Sequence, residues 1–393
     1  MDLFQAYYDA RDGKRNSEGE LEFEINYEKN LFKLYEEIKN RTYSPSNATA
    51  FITFHPVQRE IIASDFRDRV VHHLIFNYIN PIFERSFIND TYSCRIGKGV
   101  SYGVKRITSF IRSCSENYTK DCYILKLDLS GYFMSINHEK LYSKIVDYLL
   151  KTHKKYKLDL SLVFFLLEKV IFNDYTINCV IKGKKSNWEG LPKNKSLFQM
   201  PKGFGLPIGN LTSQLFSNIY LNDFDNYVKR ILKVKYYGRY VDDLIVIDKN
   251  KKYLKDLILI FEDKLKELDL KLHPRKIYLQ NYKRGVDFLG TIIRPNRNYI
   301  RNRTKGSFNK AIFKINSVLK TQNIDKERMI IFLSVINSYL GCLKHCKTHV
   351  LRKKIIEKKF DFIFWKYYKI PKCKDKYRKI RINKKNMFEN VFI

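Results

Sequence analysis

The sequence predicts an α+β fold, with an antiparallel sheet backed by helices and a helical, basic C-terminal part. Three observations carry this. The run Tyr236-Tyr237-Gly238-Arg239, the tetrapeptide Tyr240-Val241-Asp242-Asp243 and the apolar run Leu244-Ile245-Val246-Ile247 read as strand, tight turn, strand, with two aspartates exposed at the tip. The segment Leu125-Lys126-Leu127-Asp128-Leu129-Ser130-Gly131-Tyr132-Phe133 reads as a second apolar strand ended by one aspartate. From Arg301 onward the apolar spacing is helical and Lys and Arg dominate the polar positions.

The elements follow in order. Residues 1–50 are expected to be helical and polar, with Leu31, Leu34 and Ile38 on one face, until Tyr43-Ser44-Pro45-Ser46 breaks the pattern. Residues 51–120 should mix strands with a helix over 70–83. Residues 121–136 form the first strand of the sheet and its turn. A helix then starts near Asn137-His138-Glu139-Lys140, where a polar cap precedes an acidic first turn. An apolar helix at 160–171 leads into a surface loop at Lys182-Gly183-Lys184-Lys185-Ser186. A helix over 218–232 precedes the Asp-Asp hairpin, and another over 254–268 follows it with charges on its outer face. Short strands are expected over 280–300, then helices, then a basic tail over 366–393.

Composition narrows the function classes. The formal charge is +33, from 74 Lys+Arg against 41 Asp+Glu, which favours polyanionic partners; it also fits a Lys-, Asn- and Ile-rich coding bias. Aromatics make up 15% of the chain and offer stacking surfaces as well as core. Seven scattered cysteines suggest no disulfide framework, and so a reducing cytosol. The N-terminus does not read as a signal peptide and no apolar run is long enough to span a bilayer, so no membrane partner is expected.

An Asp pair in a hairpin, taken alone, is more often turn chemistry. Carboxylates on two neighbouring strands are different, because two-metal phosphoryl transfer needs ligands that grip ions about 3.5–4 Å apart. Asp128 and Asp242 are therefore the expected Mg²⁺ ligands, with the Leu129 carbonyl completing a coordination sphere and Asp243 in support. Further segments accompany them in fixed order: Arg59-Glu60-Ile61-Ile62, Phe66-Arg67-Asp68-Arg69-Val70-Val71-His72-His73, Gly205-Leu206-Pro207-Ile208-Gly209-Asn210-Leu211-Thr212-Ser213-Gln214, Lys271-Leu272-His273-Pro274-Arg275-Lys276 and Phe288-Leu289-Gly290.

Together these resemble the ordered motifs of bacterial reverse transcriptases over roughly residues 1–350. The resemblance implies a right-hand polymerase: an N-terminal helical extension (1–50), fingers (51–120), a palm (121–300, with an insertion at 150–200), a helical thumb (301–365) and the basic tail. It implies RNA-directed DNA synthesis from dNTPs with two Mg²⁺ ions, in the bacterial cytoplasm, on a template RNA and with a cDNA product. Asp128, Asp242 and Asp243 then match the catalytic carboxylates, and Lys276 the lysine that protonates or neutralises leaving pyrophosphate. Arg59 and Arg95 match candidate triphosphate ligands, Phe133 the aromatic that excludes a 2′-hydroxyl, and Phe288, Leu289 and Gly290 the primer grip. Core packing remains the alternative for Phe133, a template-tracking loop for Arg95, and a solvated surface position for Lys276.

Ile208, Gly209 and Gln214 line the nucleotide site in this pattern, but Ile208 stands where most of the family has Gln, and Gln214 where it has Pro. Isoleucine offers no hydrogen bond, which should relax base discrimination. That form, with Asn337–Cys346 and Ala6–Arg15, resembles the error-prone enzymes of diversity-generating retroelements, which work with a structured template RNA and a small basic accessory protein. Related antiphage reverse transcriptases, which copy a non-coding RNA or make low-complexity DNA, look similar. Cys342, His345, Cys346 and His349 carry zinc-type donors, but their spacing lacks a Cys-x-x-Cys pair, so thumb packing is the preferred reading.

Overall fold

Helices Asp2–Arg11 (α1), Glu18–Glu24 (α2) and Tyr27–Lys39 (α3) open the chain, and Leu31, Leu34 and Ile38 are buried on α3 as their spacing predicts. The computed structural model describes residues 2–13, 17–54, 57–152, 155–156, 158–177, 179–321, 325–371, 377 and 379–383. Lys14 and Arg15 of the N-terminal motif, and the basic tail at 372–376, 378 and 384–393, lie outside the described residues.

Strands Thr49–Thr53 (β1) and Arg59–Ala63 (β2) form an antiparallel hairpin. Helix Phe66–Phe83 (α4) starts a turn earlier than its apolar spacing suggests, because the Asp65 carboxylate accepts from the Arg67 N–H. Next come helix Val100–Cys114 (α5), strand Tyr123–Asp128 (β3) and helix His138–Thr152 (α6), whose first turn is capped by Asn137 accepting from the Lys140 N–H. Helix Leu160–Ile171 (α7) matches its expected span, with Asp159 as cap, and strand Val180–Ile181 (β4) pairs with β1. The helix expected over 218–232 is instead Leu211–Tyr220 (α8), Asn222–Asn226 (α9) and a π-turn over Tyr227–Ile231. Thr212 and Ser213 carry the buried face of α8 back into the motif at 205–214.

Strands Tyr236–Tyr240 (β5) and Asp243–Asp248 (β6) are antiparallel, and helix Lys251–Lys266 (α10) follows, started early by Asn250 accepting from the N–H groups of Lys252 and Tyr253. Strand Tyr278–Asn281 (β7) completes a four-stranded sheet in the order β5-β6-β3-β7. Strands Val286–Phe288 (β8), Thr291–Arg294 (β9) and Arg297–Ile300 (β10) form a further, antiparallel sheet of three strands. Helices Asn302–Thr321 (α11), Lys326–Lys344 (α12), His349–Lys358 (α13) and Phe364–Tyr367 (α14) lead to a short pair, Tyr368–Lys369 (β11) with Arg381–Ile382 (β12).

The chain divides into two units, residues 1–99 with 125–279 and residues 100–124 with 280–393. Within the second unit α5 packs against β9, which groups 100–114 and 280–300 with the C-terminal helices. In the first unit β6 is buried throughout its centre, from Leu244 to Ile247. In the second, Phe308, Ile312, Ile336, Leu340 and Ile356 form the core shared by α11, α12 and α13. No helix among the described residues is long and apolar enough to cross a membrane.

Candidate active site

The register of β5 and β6 pairs Tyr240 with Asp243, leaving Val241-Asp242 as a two-residue turn. Val241 has φ +54°, a strained backbone for a β-branched residue. Its surroundings hold it there. The Val241 N–H donates to Ser93 Oγ at 3.2 Å, and its carbonyl accepts from Arg239 Nη1 at 3.0 Å. Arg239 is fully buried, with Nε and Nη2 on the Asp225 carboxylate at 2.6–2.9 Å, and the Tyr237 hydroxyl donates to the same carboxylate at 2.6 Å. Asn218 closes the network by donating to the Ser93 carbonyl at 2.9 Å. Gly238 is required in β5 because a Cβ there would run into the Tyr92 ring and hydroxyl. Asp225, Asn218 and Ser93 were not singled out in the sequence; the available signal was an arginine inside an otherwise apolar strand.

Backbone bonds tie the carboxylate-bearing segments together. The Leu129 N–H donates to the Asp242 carbonyl at 3.1 Å, and the His273 N–H donates to the Asp128 carbonyl at 2.7 Å. Leu129 lies opposite Leu272 in an antiparallel bridge. The sequence motifs around Asp128, Asp242-Asp243 and Lys271–Lys276 thus meet at one end of the sheet. Lys276 Nζ sits 2.8 Å from Asp128 Oδ1, and Lys126 Nζ sits 3.0 Å from Asp243 Oδ1. The aspartate tip is not fully exposed as expected: all three carboxylates are partly buried, and the Asp242 carboxyl is pushed up to about 6 by burial and then by the neighbouring charges of Asp128 and Asp243.

Among the described residues no three Asp, Glu, His or Cys side chains form a ready-made metal cluster. The donor set nevertheless fits a hard divalent cation: carboxylate oxygens whose mutual repulsion raises one pKa, balanced by two ammonium groups.

The remaining site residues divide. Phe133 and Ile208 are half-buried on one apolar cluster with Ile62, Met134 and Leu197, and the Ile62 N–H donates to the Ile208 carbonyl at 3.0 Å. Gly209 has φ +136° and lies against Ile61 and Ile62, where a Cβ would be crowded to 3.2 Å. Gln214 is exposed on α8, and Arg59 is exposed on β2. Glu60, next to it, is buried and accepts from Trp188 Nε1 (2.7 Å), Ser196 Oγ (2.6 Å) and the Leu197 N–H (2.6 Å), pinning the insertion to β2. His72, also buried, bridges Ser64 Oγ at 3.2 Å and Thr212 Oγ1 at 2.7 Å; burial pushes it down to about 3, so it is neutral.

The Arg95 guanidinium is 5% exposed, forks onto Glu84 and donates to the Ile88 and Thr91 carbonyls, bonds that brace its loop. Phe288 is fully buried in the second unit, and Leu289-Gly290, at φ +50° and +84°, form the β8–β9 turn. Also in that unit, His345 bonds Ser101 at 2.8 Å, His349 packs edge-on against Tyr377, Cys346 is buried and Cys342 is exposed, and among the described residues the four form no metal-holding group.

Aspartates on two adjacent strands, one at a hairpin turn beside a lysine-bearing segment, are an arrangement that two-metal phosphoryl transfer can use. Residues 58–293 match the family described as reverse transcriptase (RNA-dependent DNA polymerase), well over half of the chain, and the protein belongs to that family. Protein YkfC of Escherichia coli K12 is 25% identical over 162 residues, which is 41% of this chain and 35% of YkfC. Apo telomerase from Candida tropicalis gives a TM-score of 0.48 at 13% identity, covering 81% of this chain and 60% of that one. Telomerase from Candida albicans in complex with a TWJ fragment of telomeric RNA gives 0.46 at 12% identity, covering 88% and 61%. The chain thus spans about a third of YkfC and three fifths of these telomerase chains.

Proposed function

We propose that this protein is an RNA-directed DNA polymerase that makes cDNA from a dedicated, structured RNA. The observation that carries the reading is the bond between the Leu129 N–H and the Asp242 carbonyl, which holds the strand ending in Asp128 against the Asp242-Asp243 turn. Asp128 and Asp242, with Asp243 and the Leu129 carbonyl in support, would hold two Mg²⁺ ions, which when bound acidify the primer 3′-hydroxyl and neutralise phosphate charge. Lys276 is 47% exposed, so its side chain can leave Asp128 and donate a proton to pyrophosphate. Arg59 offers a planar fork to the triphosphate. The direct test is template-dependent dNTP incorporation by the purified chain on a primed RNA; no incorporation with Mg²⁺ or Mn²⁺ present would overturn the proposal.

Phe133 supports a sugar gate, since its ring is anchored on the apolar cluster yet only half-buried. Phe133→Ala is expected to raise rNTP relative to dNTP use at least about tenfold in kcat/KM, the scale at which a pocket discriminates a small group. Single-nucleotide incorporation kinetics check this, and unchanged selectivity with DNA synthesis intact would make Phe133 a core residue only.

Ile208 supports an error-prone enzyme of the diversity-generating type, working with a small basic accessory protein. Its side chain packs with apolar neighbours and offers a base pair shape without a hydrogen bond. Frequent misincorporation is expected, chiefly opposite template adenine, and Ile208→Gln should reduce it. Deep sequencing of cDNA from a defined RNA reads both enzymes; low wild-type error would shift the assignment to an antiphage polymerase copying a non-coding RNA.

A further inference from the structure

In the second unit a cavity of about 420 Å³ opens between the β9–β10 hairpin, the first turns of α11 and the turn between α12 and α13. Its charged lining is Arg294, Arg297, Lys305 and Lys347, and no Asp or Glu lines it. The hairpin register sets Arg294 directly opposite Arg297 and Ile292 opposite Tyr299, so these four side chains share one face. Like charges directly opposite on neighbouring strands are destabilising. Elsewhere in this unit basic side chains meet carboxylates: Arg301 pairs with Asp287, Lys283 with Asp121 and Lys320 with Asp361. Among the described residues none of the four cavity cations has such a pair. Both guanidinium groups instead lie near the Tyr299 ring, at 6.0 Å for Arg294 and 5.2 Å for Arg297, and Tyr299 is 42% exposed.

Four uncompensated cations around one concavity call for a small group of several negative charges, and guanidinium forks match phosphate oxygens. An exposed ring beside them offers a face for a base. The volume lies in the range of small-ligand pockets, within which a mononucleotide fits. We propose that this cavity binds the phosphate-bearing end of a nucleotide, supplied either by a free nucleoside triphosphate or by the 5′ terminus of an RNA. The cavity shares no residue with the set of three aspartates, and the proposal does not depend on the polymerase reading.

The test uses the full-length chain, without dNTPs, and two 3′-labelled RNAs of one sequence, one with a 5′-triphosphate and one with a 5′-hydroxyl. Anisotropy titration is expected to show preference for the triphosphate end of about tenfold or more, the scale of one or two charge-assisted contacts. Arg294→Gln/Arg297→Gln should bring the two affinities together while the 5′-hydroxyl RNA binds as before. Lys305→Gln, on α11, should do the same in part, and it leaves the hairpin intact should the double variant fail to fold. Competition by ATP that abolishes the preference identifies free nucleotide as an occupant; a preference that survives ATP identifies the RNA end. Equal wild-type affinity for both ends without ATP binding, or variants that weaken both RNAs equally, would overturn the proposal.

Discussion

Replacing Asp242 by Asn is expected to lower primer extension by about 10³-fold or more while leaving the fold as stable as before. Several kcal/mol of transition-state charge stabilisation depend on the cation site, and each 1.36 kcal/mol is tenfold in rate. The stability half follows from the sign of the pKa shift. Burial, Asp128 and Asp243 raise the Asp242 carboxyl to about 6, so the charge it still carries at neutral pH costs the folded chain more than the unfolded one. A neutral isostere removes that penalty, and the melting temperature should equal or exceed that of the wild type. Asp128→Asn should lose activity similarly, releasing Lys276 from its ion pair. Single-turnover extension and thermal melting read the two halves separately, and near-wild-type extension by either variant would remove these aspartates from the active site.

The second large effect concerns the arginine beneath the turn. Asp225→Ala leaves the Arg239 guanidinium buried without its carboxylate, at an expected cost of about 3–5 kcal/mol. Pairing that change with Arg239→Met should recover most of the stability, because an apolar pair replaces an ionic one. Activity should not recover with it. The double variant still lacks the Nη1 donor to the Val241 carbonyl, so the turn carrying Asp242 loses a brace. Denaturant melts and extension rates on the single and double variants test this, and full activity in the double variant would show that the brace does not position the carboxylates.

Local pattern made much of the first unit legible. Alternation and turn chemistry placed β5, β6 and the aspartate pair, and apolar spacing placed α3 and α7. What pattern could not show was partnership across long separations. Arg95 and Arg59 read alike in the sequence, and only the presence of Glu84 within reach makes Arg95 a brace. Glu60 passed as part of a motif, although it anchors three groups more than 120 residues away. The depth of Asp242 was equally hidden, because a carboxylate in a hairpin normally faces water, and here the neighbouring strand and turn enclose it. The packing of α5 on β9 was hidden for a related reason, since no local signal records that pairing.

Val241 shows how the aspartate-bearing turn depends on the rest of its unit. A valine at positive φ would not choose this bend in an isolated hairpin. The bend is imposed by Ser93, more than a hundred residues upstream, and by Arg239, itself held by Asp225. The arrangement of the three carboxylates therefore rests on residues far from them in sequence, Ser93 before the sheet and Asp225 on α9, and the precision of the turn is a property of the whole unit's packing.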